Sequence, residues 1–373
     1  MLDVAPPRSR GRRSLVALMA AVILLAVAAA NAMAAGGAVY TETNAPTGNA
    51  VQKFDRAADG TLTPAGTFPT GGAGSDSPGG RQGAVALSRD GSTLYAVNSA
   101  SDSVSAFRVT RSGLSRIETV ASGGVAPVSV AERDGRVYVL NSGDTPARGT
   151  PDVATFVSGP GGHLIRVPGG TRDLAAGADG TAQVGVTPDG RRLVVSDRVS
   201  NRLETLALDP FGRPGRPVVT ASSGATPFGF DFGPRGELVV SEAGASTVSS
   251  YRVGFFGGLS AITPSLAVNQ GAACWVAVSP DGRYAYTGNA AGSISGFAIG
   301  RHGQLTALNA DGLTASSPAP FTPRDLAFDR SGRFLYAVSP GGRVTGYRVG
   351  SDGSLTEVTS APAASGITGA AAA

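Results

Sequence analysis

The sequence contains a single cysteine, Cys274, and only two histidines, His163 and His302. One cysteine excludes an intramolecular disulfide, and a zinc site needs a cluster of histidines and cysteines that this chain lacks. Each histidine stands beside a glycine of a predicted outer hairpin, so we expect exposed turn residues rather than members of a catalytic triad. The sequence therefore predicts no metal and no cofactor, and a buried, inert thiol at Cys274.

Positive charge is also scarce outside the N-terminal segment. The formal net charge is +4, but Arg8, Arg10, Arg12 and Arg13 all precede an apolar run, with Asp3 as the one nearby acid. The rest of the chain carries about +1. No basic patch of the kind that phosphate binding needs is evident, so no nucleic-acid partner is predicted.

The N-terminal apolar run extends from Leu15 to Ala30 and is followed by small residues. Its length suits the core of a signal peptide and is short for a membrane span. We expect a signal peptide at 1–35, cleaved between 32 and 35, and a single domain at 36–373. The mature protein would then be secreted or extracytoplasmic, monomeric and free of the membrane. The alternative is an uncleaved N-terminal anchor.

Glycine, in contrast, is abundant, with 54 residues and no collagen-like period. A unit recurs along the chain: an apolar strand, a turn that is often Asp-Gly, a second strand, a polar loop, a third strand, a glycine turn and a fourth strand. The first-turn glycines are Gly91, Gly135, Gly190, Gly236, Gly282 and Gly332, and the second-turn glycines are Gly60, Gly113, Gly162, Gly212, Gly258, Gly303 and Gly353. Four short strands in about 45 residues are typical of a propeller blade. The sequence therefore predicts an all-β, seven-bladed β-propeller with four-stranded blades.

The first blade lacks a first turn of its own. The segment 38–43 (AVYTET) aligns with second strands of the repeat, so the innermost strand of this blade must come from elsewhere. We expect the C-terminal tail after Gly366 to supply that strand, close the ring and cover an open sheet edge.

Three motifs carry a family resemblance: Leu94-Tyr95-Ala96-Val97-Asn98, Thr187-Pro188-Asp189-Gly190 and Gly346-Tyr347-Arg348-Val349. Together with the repeat, they resemble the lactonase-like seven-bladed propellers, which include 6-phosphogluconolactonase and carboxymuconate cyclase. The resemblance covers residues 38–373. The chain is also similar to the Tyr-Val-Thr-Asn repeat propellers of surface proteins.

The resemblance implies an active site at the channel mouth, where innermost strands begin and second strands end. Two rings of residues fall there in the repeat. The first is Gly83, Pro127, Ala182, Phe228, Cys274 and Arg324, and the second is Asn98, Asn141, Asp197, Glu242, Asn289 and Ser339. Family enzymes usually carry His, Arg and Glu at such positions. Here the histidines are absent from Thr181-Ala182-Gln183 and Pro227-Phe228-Gly229, whereas Glu242 and Arg324 remain.

The remaining charged pair suggests lactone chemistry, with Glu242 as general base and Arg324 as a clamp for a carboxylate or oxyanion. We expect Gln183, Asp197, Phe228, Trp275 and Asn289 to contact the ligand. The alternatives are a structural ion pair between Glu242 and Arg324, and core packing for Phe228 and Trp275.

Two functions therefore follow from the sequence. The first is an exported lactone hydrolase with a reduced active site. The second is a non-catalytic propeller that binds a small ligand or an extracellular protein partner. An insertion at 141–153 either overhangs the mouth and confers specificity, or is a tolerated surface loop.

Overall fold

The computed structural model describes residue 1 and residues 36–75, 82–143, 149–317 and 321–373. The predicted signal segment after Met1 and residues 144–148 of the insertion lie outside the described residues. The described chain forms 29 strands and two short 3-10 turns, at Ser99–Ser101 and Pro160–Gly162.

The strands are numbered in chain order and are, with their bounds, β1 (Gly37–Glu42), β2 (Ala50–Arg56), β3 (Leu62–Pro69), β4 (Val85–Leu87), β5 (Thr93–Asn98), β6 (Ser103–Thr110), β7 (Gly113–Ala121), β8 (Pro127–Arg133), β9 (Arg136–Asn141), β10 (Asp152–Ser158), β11 (Leu164–Asp173), β12 (Thr181–Val186), β13 (Arg192–Asp197), β14 (Arg202–Leu208), β15 (Pro214–Ala221), β16 (Pro227–Phe232), β17 (Glu237–Glu242), β18 (Thr247–Val253), β19 (Leu259–Ala267), β20 (Ala273–Val278), β21 (Tyr284–Asn289), β22 (Ser293–Ile299), β23 (Leu305–Ala307), β24 (Ala315–Ser316), β25 (Asp325–Phe328), β26 (Phe334–Ser339), β27 (Arg343–Val349), β28 (Leu355–Pro362) and β29 (Thr368–Ala372).

These strands form seven antiparallel sheets, which are the blades of a propeller. Blade 1 has the order β29-β1-β2-β3, and blades 2 to 7 follow in chain order, from β4–β7 to β25–β28. In blade 6 the short strand β24 also pairs with β22. The predicted seven-bladed propeller with four-stranded blades is confirmed.

The Asp-Gly turns hold each innermost strand against the second strand. In blade 6, Asp281 accepts hydrogen bonds from the Ser279 hydroxyl (2.6 Å) and the Arg283 N–H (3.0 Å), and Gly282 adopts a φ of 68°. Such left-handed backbone suits a tight hairpin and favours glycine. In the second turn of blade 5, the residue with positive φ is Gly257 (98°). The prediction of Gly258 for that position was wrong by one residue.

Seven buried apolar clusters hold the ring together, one at each interface between neighbouring blades. The interface of blades 2 and 3, for example, buries Tyr95, Val130 and Phe156. Second strands such as β5 and β21 are buried along their whole length, because both of their faces pack against neighbouring blades. Stability therefore comes from interfaces between blades, and the ring depends on its closure.

The C-terminal strand closes the ring as expected. β29 pairs antiparallel with β1, with Val39 opposite Ala372 and Tyr40 opposite Ala371. The Ala373 N–H donates to the Ala38 carbonyl (2.9 Å). Because β29 lies on the axis, it removes the exposed edge that β1 would otherwise present.

The Gln82 side chain crosses the channel from blade 2 to blade 6. Its amide donates to the Val276 carbonyl and accepts from the Val276 N–H (3.3 Å). It passes over Gly229, where any side chain would collide with the amide oxygen. Blades 2 and 6 are not neighbours in the ring, so this residue bridges the channel.

No helix among the described residues has the length and apolar character needed to cross a membrane.

Candidate functional site

The innermost strands of blades 3 to 6 bulge at the channel mouth. Regular pairing with the second strand is interrupted between Thr181 and Gln183 in blade 4, and between Ala273 and Trp275 in blade 6. Similar shifts occur at 127–129 and 227–230. The bypassed residues include Ala182, Phe228 and Cys274, three members of the predicted first ring. Bulges release residues from the ladder and commonly re-aim side chains beside active sites.

Backbone strain accompanies these bulges. Ala126, Thr226 and Ala272, each at the entry to an innermost strand, have φ values of 53°, 61° and 55°. A β-branched residue such as Thr226 rarely adopts this conformation. The Thr226 N–H is held by the Asn201 side chain of the preceding blade (2.6 Å). Strain of this kind tends to concentrate at functional sites.

The bulged residues of blades 4 to 6 build an apolar floor. Ala182, Phe228 and Cys274 belong to one buried cluster that also contains Trp275. The rings of Phe228 and Trp275 meet edge to face, with centroids 4.6 Å apart. Trp275 is fully buried, whereas Phe228 and Cys274 each retain 7% exposure. Trp275 therefore supports the floor from within the core, which fits the packing alternative.

Two guanidinium groups flank this floor. The Arg198 guanidinium lies over the Phe228 ring, 5.4 Å from its centroid, and its Nε donates to the Gly180 carbonyl (2.9 Å). The backbone N–H of Arg324 donates to the Val338 carbonyl (2.7 Å). Burial raises the pKa of the Cys274 thiol, and the Arg324 charge opposes that rise only in part. The thiol is thus protonated and a poor nucleophile.

Arg198 was missed at the sequence level. It follows Asp197, the last residue of a second strand, so it lies one position beyond the ring that the repeat defined. The signal that would have found it is the basic residue directly after a strand end at the mouth.

Glu242 lies inside blade 5, fully buried, rather than on the channel wall. Its carboxylate accepts hydrogen bonds from Ser249 (2.6 Å), Thr247 (2.5 Å), Ser222 (3.1 Å) and the Gly224 N–H (2.9 Å). The Tyr251 hydroxyl contributes a fifth, at 3.3 Å. Both carboxylate oxygens of Glu242 are therefore engaged by donors of blade 5 and of the loop that enters it. No ion pair among the described residues joins Glu242 to Arg324, which does not support the alternative of a structural ion pair between them.

Two other residues of the predicted second ring, Asn289 and Asn98, also contact their own third strands. Asn289 donates to Ser293 (3.0 Å) and Ser295 (2.8 Å). Asn98 repeats this arrangement with Ser103 and Ser105. Asp197 accepts from Ser200 and from the Asp179 N–H (3.1 Å). These side chains, like that of Glu242, are hydrogen-bonded within their own blade or its entry loop.

Gln183 joins two blades. Its amide donates to the Phe230 carbonyl (2.9 Å) and accepts from the Phe230 N–H (2.7 Å). Since both ends of the amide are used by neighbouring backbone, the contact is structural. Of the predicted site residues, the structure brings together Phe228, Trp275 and Arg324 around Cys274, and it disperses the rest.

Two carboxyls lie on innermost strands below the mouth, with Asp325 fully buried and Asp231 half-buried. Asp325 accepts from the N–H groups of Gly83 (3.2 Å), Ala370 (2.9 Å) and Leu326 (2.7 Å), and so ties blades 7, 1 and 2 together. Burial raises its pKa to about 8, with a further contribution from the charge of Asp231. Burial also raises the pKa of Asp231 to about 6. In both groups burial disfavours the charged form.

Neither histidine approaches the mouth. His163 is exposed on an outer hairpin and contacts Glu118 (3.0 Å), and His302 is exposed on another. Within the described part of the chain, no three His, Cys, Asp or Glu residues are grouped closely enough to hold a metal ion.

Comparisons with solved structures agree on the fold. The periplasmic gluconolactonase of Pseudomonas aeruginosa superimposes with a TM-score of 0.74 at 18% identity, covering 91% of this chain and 99% of that one. A Bacteroides uniformis protein with a proposed 6-phosphogluconolactonase activity gives a TM-score of 0.72 at 20% identity, with 91% and 99% coverage. A Lactobacillus plantarum protein gives 0.71 at 19% identity, with the same coverage.

The sequence matches no curated protein. It does match the family model for the seven-bladed β-propeller lactonases, over residues 45–144, 166–270 and 256–368. These segments include most of the chain and all of the residues that form the mouth. This chain therefore belongs to the seven-bladed β-propeller lactonase family.

Proposed function

We propose that this protein is an exported lactone hydrolase whose site is the apolar floor at the channel mouth. The observation that supports this is the pair of guanidinium groups, Arg198 and Arg324, beside Phe228 and Cys274 in a lactonase-family propeller. The sugar-like ring of a lactone would lie on the floor, and its ester oxygens would face the arginines.

Hydrolysis then proceeds by addition of hydroxide to the lactone carbonyl carbon. The carbonyl oxygen becomes an oxyanion, which the guanidinium of Arg324 stabilises. The bond from the carbonyl carbon to the ring oxygen breaks, and the ring oxygen takes a proton from water. The product is an open hydroxy acid, whose carboxylate forms charge-assisted hydrogen bonds with the same two arginines.

Glu242 is not the base in this scheme, because its oxygens are used by five donors inside the blade. Hydroxide therefore comes from bulk water, and the enzyme contributes binding and electrostatic stabilisation. A positioned general base typically contributes about 10²–10⁴-fold in rate, so turnover should be slow by the standards of hydrolases that carry one.

Export is supported by the N-terminal pattern of arginines followed by the apolar run at 15–30. A lactone that reaches an extracytoplasmic enzyme is a neutral or weakly charged sugar lactone rather than an intracellular phosphorylated one. The two arginines at the mouth match one carboxylate-sized group.

The test is a hydrolysis assay with D-glucono-1,5-lactone and γ-butyrolactone on the protein and three variants. Arg324→Gln should lower kcat/KM about 10²-fold, the typical effect of losing an oxyanion donor. Arg198→Gln should chiefly raise KM. Arg343→Gln, an exposed arginine that bonds Ser360, is the matched control and should leave both constants unchanged.

The Glu242→Gln variant separates the two possible mechanisms. Unchanged kcat/KM at a temperature where the variant is folded supports the hydroxide mechanism, and a loss of 10²-fold or more restores Glu242 as the base. Absence of lactone hydrolysis above the buffer rate, with gluconate still raising the melting temperature, would instead establish the non-catalytic, ligand-binding alternative.

A further inference from the structure

The face opposite the mouth carries a band of arginines across blades 3 to 6. The first and second turns of blades 3 to 6 lie on this face. Three adjacent clefts open there between the blades. Their basic lining residues, which we call the basic band, are Arg136, Arg191, Arg192, Arg235, Arg252 and Arg301. The three clefts contain three acidic lining residues, Asp189, Asp209 and Glu237. The basic band is therefore positive in net charge.

The central cleft, between blades 4 and 5, has a volume of about 590 Å³ and is lined by four of these arginines. Its one carboxylate, Asp189, is occupied by the Thr187 hydroxyl (2.6 Å) and the Arg191 N–H (3.1 Å) of its own turn. Arg191 and Arg252 are exposed and take part in no ion pair among the described residues. Their guanidinium groups are available to an external anion.

Exposed aromatic side chains lie on the outer hairpins beside the basic band, and Phe255 lines the central cleft. Phe255 and Phe256 lie at the tip of the outer hairpin of blade 5 and are 84% and 86% exposed. Phe211, on the outer hairpin of blade 4, is 64% exposed. The Phe255 carbonyl accepts a hydrogen bond from Arg192, so the aromatic tip and the basic band are attached to each other.

Exposed phenylalanines at a hairpin tip are costly in water unless they enter an apolar phase. Arginines near an anionic lipid surface are attracted to it electrostatically. Guanidinium groups also bind phosphate in bidentate fashion. An arginine band with projecting phenylalanines thus fits a phospholipid bilayer better than the flat surface of a folded protein partner.

We infer that the basic band docks this propeller onto an anionic phospholipid membrane, with Phe255 and Phe256 inserted between the headgroups. The chain enters the ring on the same face. Gly37, the first residue of β1, lies opposite Arg56. Arg56 ends β2 at the hairpin before β3, and such hairpins lie on the face of the basic band. The channel mouth then points away from the bilayer. This proposal differs from the sequence prediction of no membrane contact after signal cleavage.

The experiment is vesicle co-sedimentation with phosphatidylcholine alone and with phosphatidylcholine containing 30 mol% phosphatidylglycerol. It uses the chain from residue 36, since all seven blades lie within 37–372. Three variants are compared: Phe255→Ser with Phe256→Ser; Arg191→Gln with Arg235→Gln and Arg252→Gln; and a control with Arg116→Gln, Arg166→Gln and Arg343→Gln, exposed arginines outside the basic band.

We expect binding to the anionic vesicles only, a loss of at least tenfold in partition coefficient in the first two variants, and no loss in the control. Absence of vesicle binding overturns the proposal, even if the protein binds an acidic polypeptide. An equal loss in the control and in the arginine variant also overturns it, since binding would then reflect total charge. Lactone hydrolysis is measured separately and is expected to be equal in all three variants.

Discussion

At the scale of single residues, the carboxyl groups of this propeller hold the structure together rather than perform chemistry. Glu242 accepts hydrogen bonds from four hydroxyls and a backbone N–H in blade 5 and its entry loop. Glu242→Ala leaves these buried donors without a partner, and we expect it to lower the free energy of unfolding by about 2–4 kcal/mol. Urea unfolding measures this. The control is Glu357→Ala, an exposed glutamate in β28; an equal loss in both variants would contradict the structural role.

The channel carboxyls predict an unusual dependence of stability on pH. The folded-state pKa of Asp325 is raised to about 8 and that of Asp231 to about 6, in both cases by burial. The folded protein therefore holds more protons than the unfolded chain between pH 4 and 8. The stabilisation is complete below about pH 4 and is lost as the pH rises through these folded values.

Asp325→Asn removes the larger of these two contributions. The amide keeps an acceptor for Gly83 and Ala370 but cannot ionise, so the melting temperature should fall less between pH 5 and 8 than in the parent protein. Differential scanning calorimetry across that range measures the slopes. The exposed Asp311→Asn serves as the control, and identical slopes in the two variants would refute the assignment to Asp325.

At the scale of strands and turns, the repeat predicted the blades but not the direction of side chains at the mouth. Glycine turns and alternating apolar residues are local signals, so strand order and blade count followed from them. The bulges at 181–183 and 273–275 leave no pattern in the local sequence by which they could be recognised. Each shifts the register by one residue and reverses the faces of the strand. The directions of Ala182 and Cys274, the residues bypassed at these bulges, therefore could not be predicted from the repeat.

The second turn of blade 5 tests how finely a turn can be assigned from sequence. Gly257 has a φ of 98° and its missing Cβ would crowd Thr205, whereas Gly258 has open space around it. Gly257→Ala should cost about 1–2 kcal/mol, and Gly258→Ala should change stability by less than about 0.5 kcal/mol. Chemical denaturation of the two variants measures the difference, and the reverse order would restore the sequence assignment.

At the scale of the whole molecule, distant segments meet in ways that no local pattern reveals. The basic band combines arginines from five separate turns, which are spread over residues 136–301. In the linear sequence they alternate with acids and suggest no patch. Gln82 likewise reaches Val276, 194 positions away, because the ring places their blades across one channel.

Ring closure is the feature on which the whole molecule depends. Deletion of residues 364–373 removes β29 and the buried side chain of Ile367. It also leaves β1 as an open sheet edge at the channel axis. We expect the truncated protein to melt at least 10 °C lower and to associate through that edge, since unpaired strands pair with other chains. Differential scanning fluorimetry and size-exclusion chromatography measure both effects.

A point substitution tests the same closure where the truncated chain fails to fold. Ala370→Pro removes the N–H that donates to Asp325 (2.9 Å) and so breaks the joint between blades 7 and 1. Ala370→Ser keeps that N–H and is the matched control. The proline variant should lose several degrees in melting temperature relative to the serine variant, because a buried acceptor loses its donor in the innermost strand. Equal melting of the two, or an unchanged melting temperature after truncation, would show that seven interfaces without closure are enough to hold the ring.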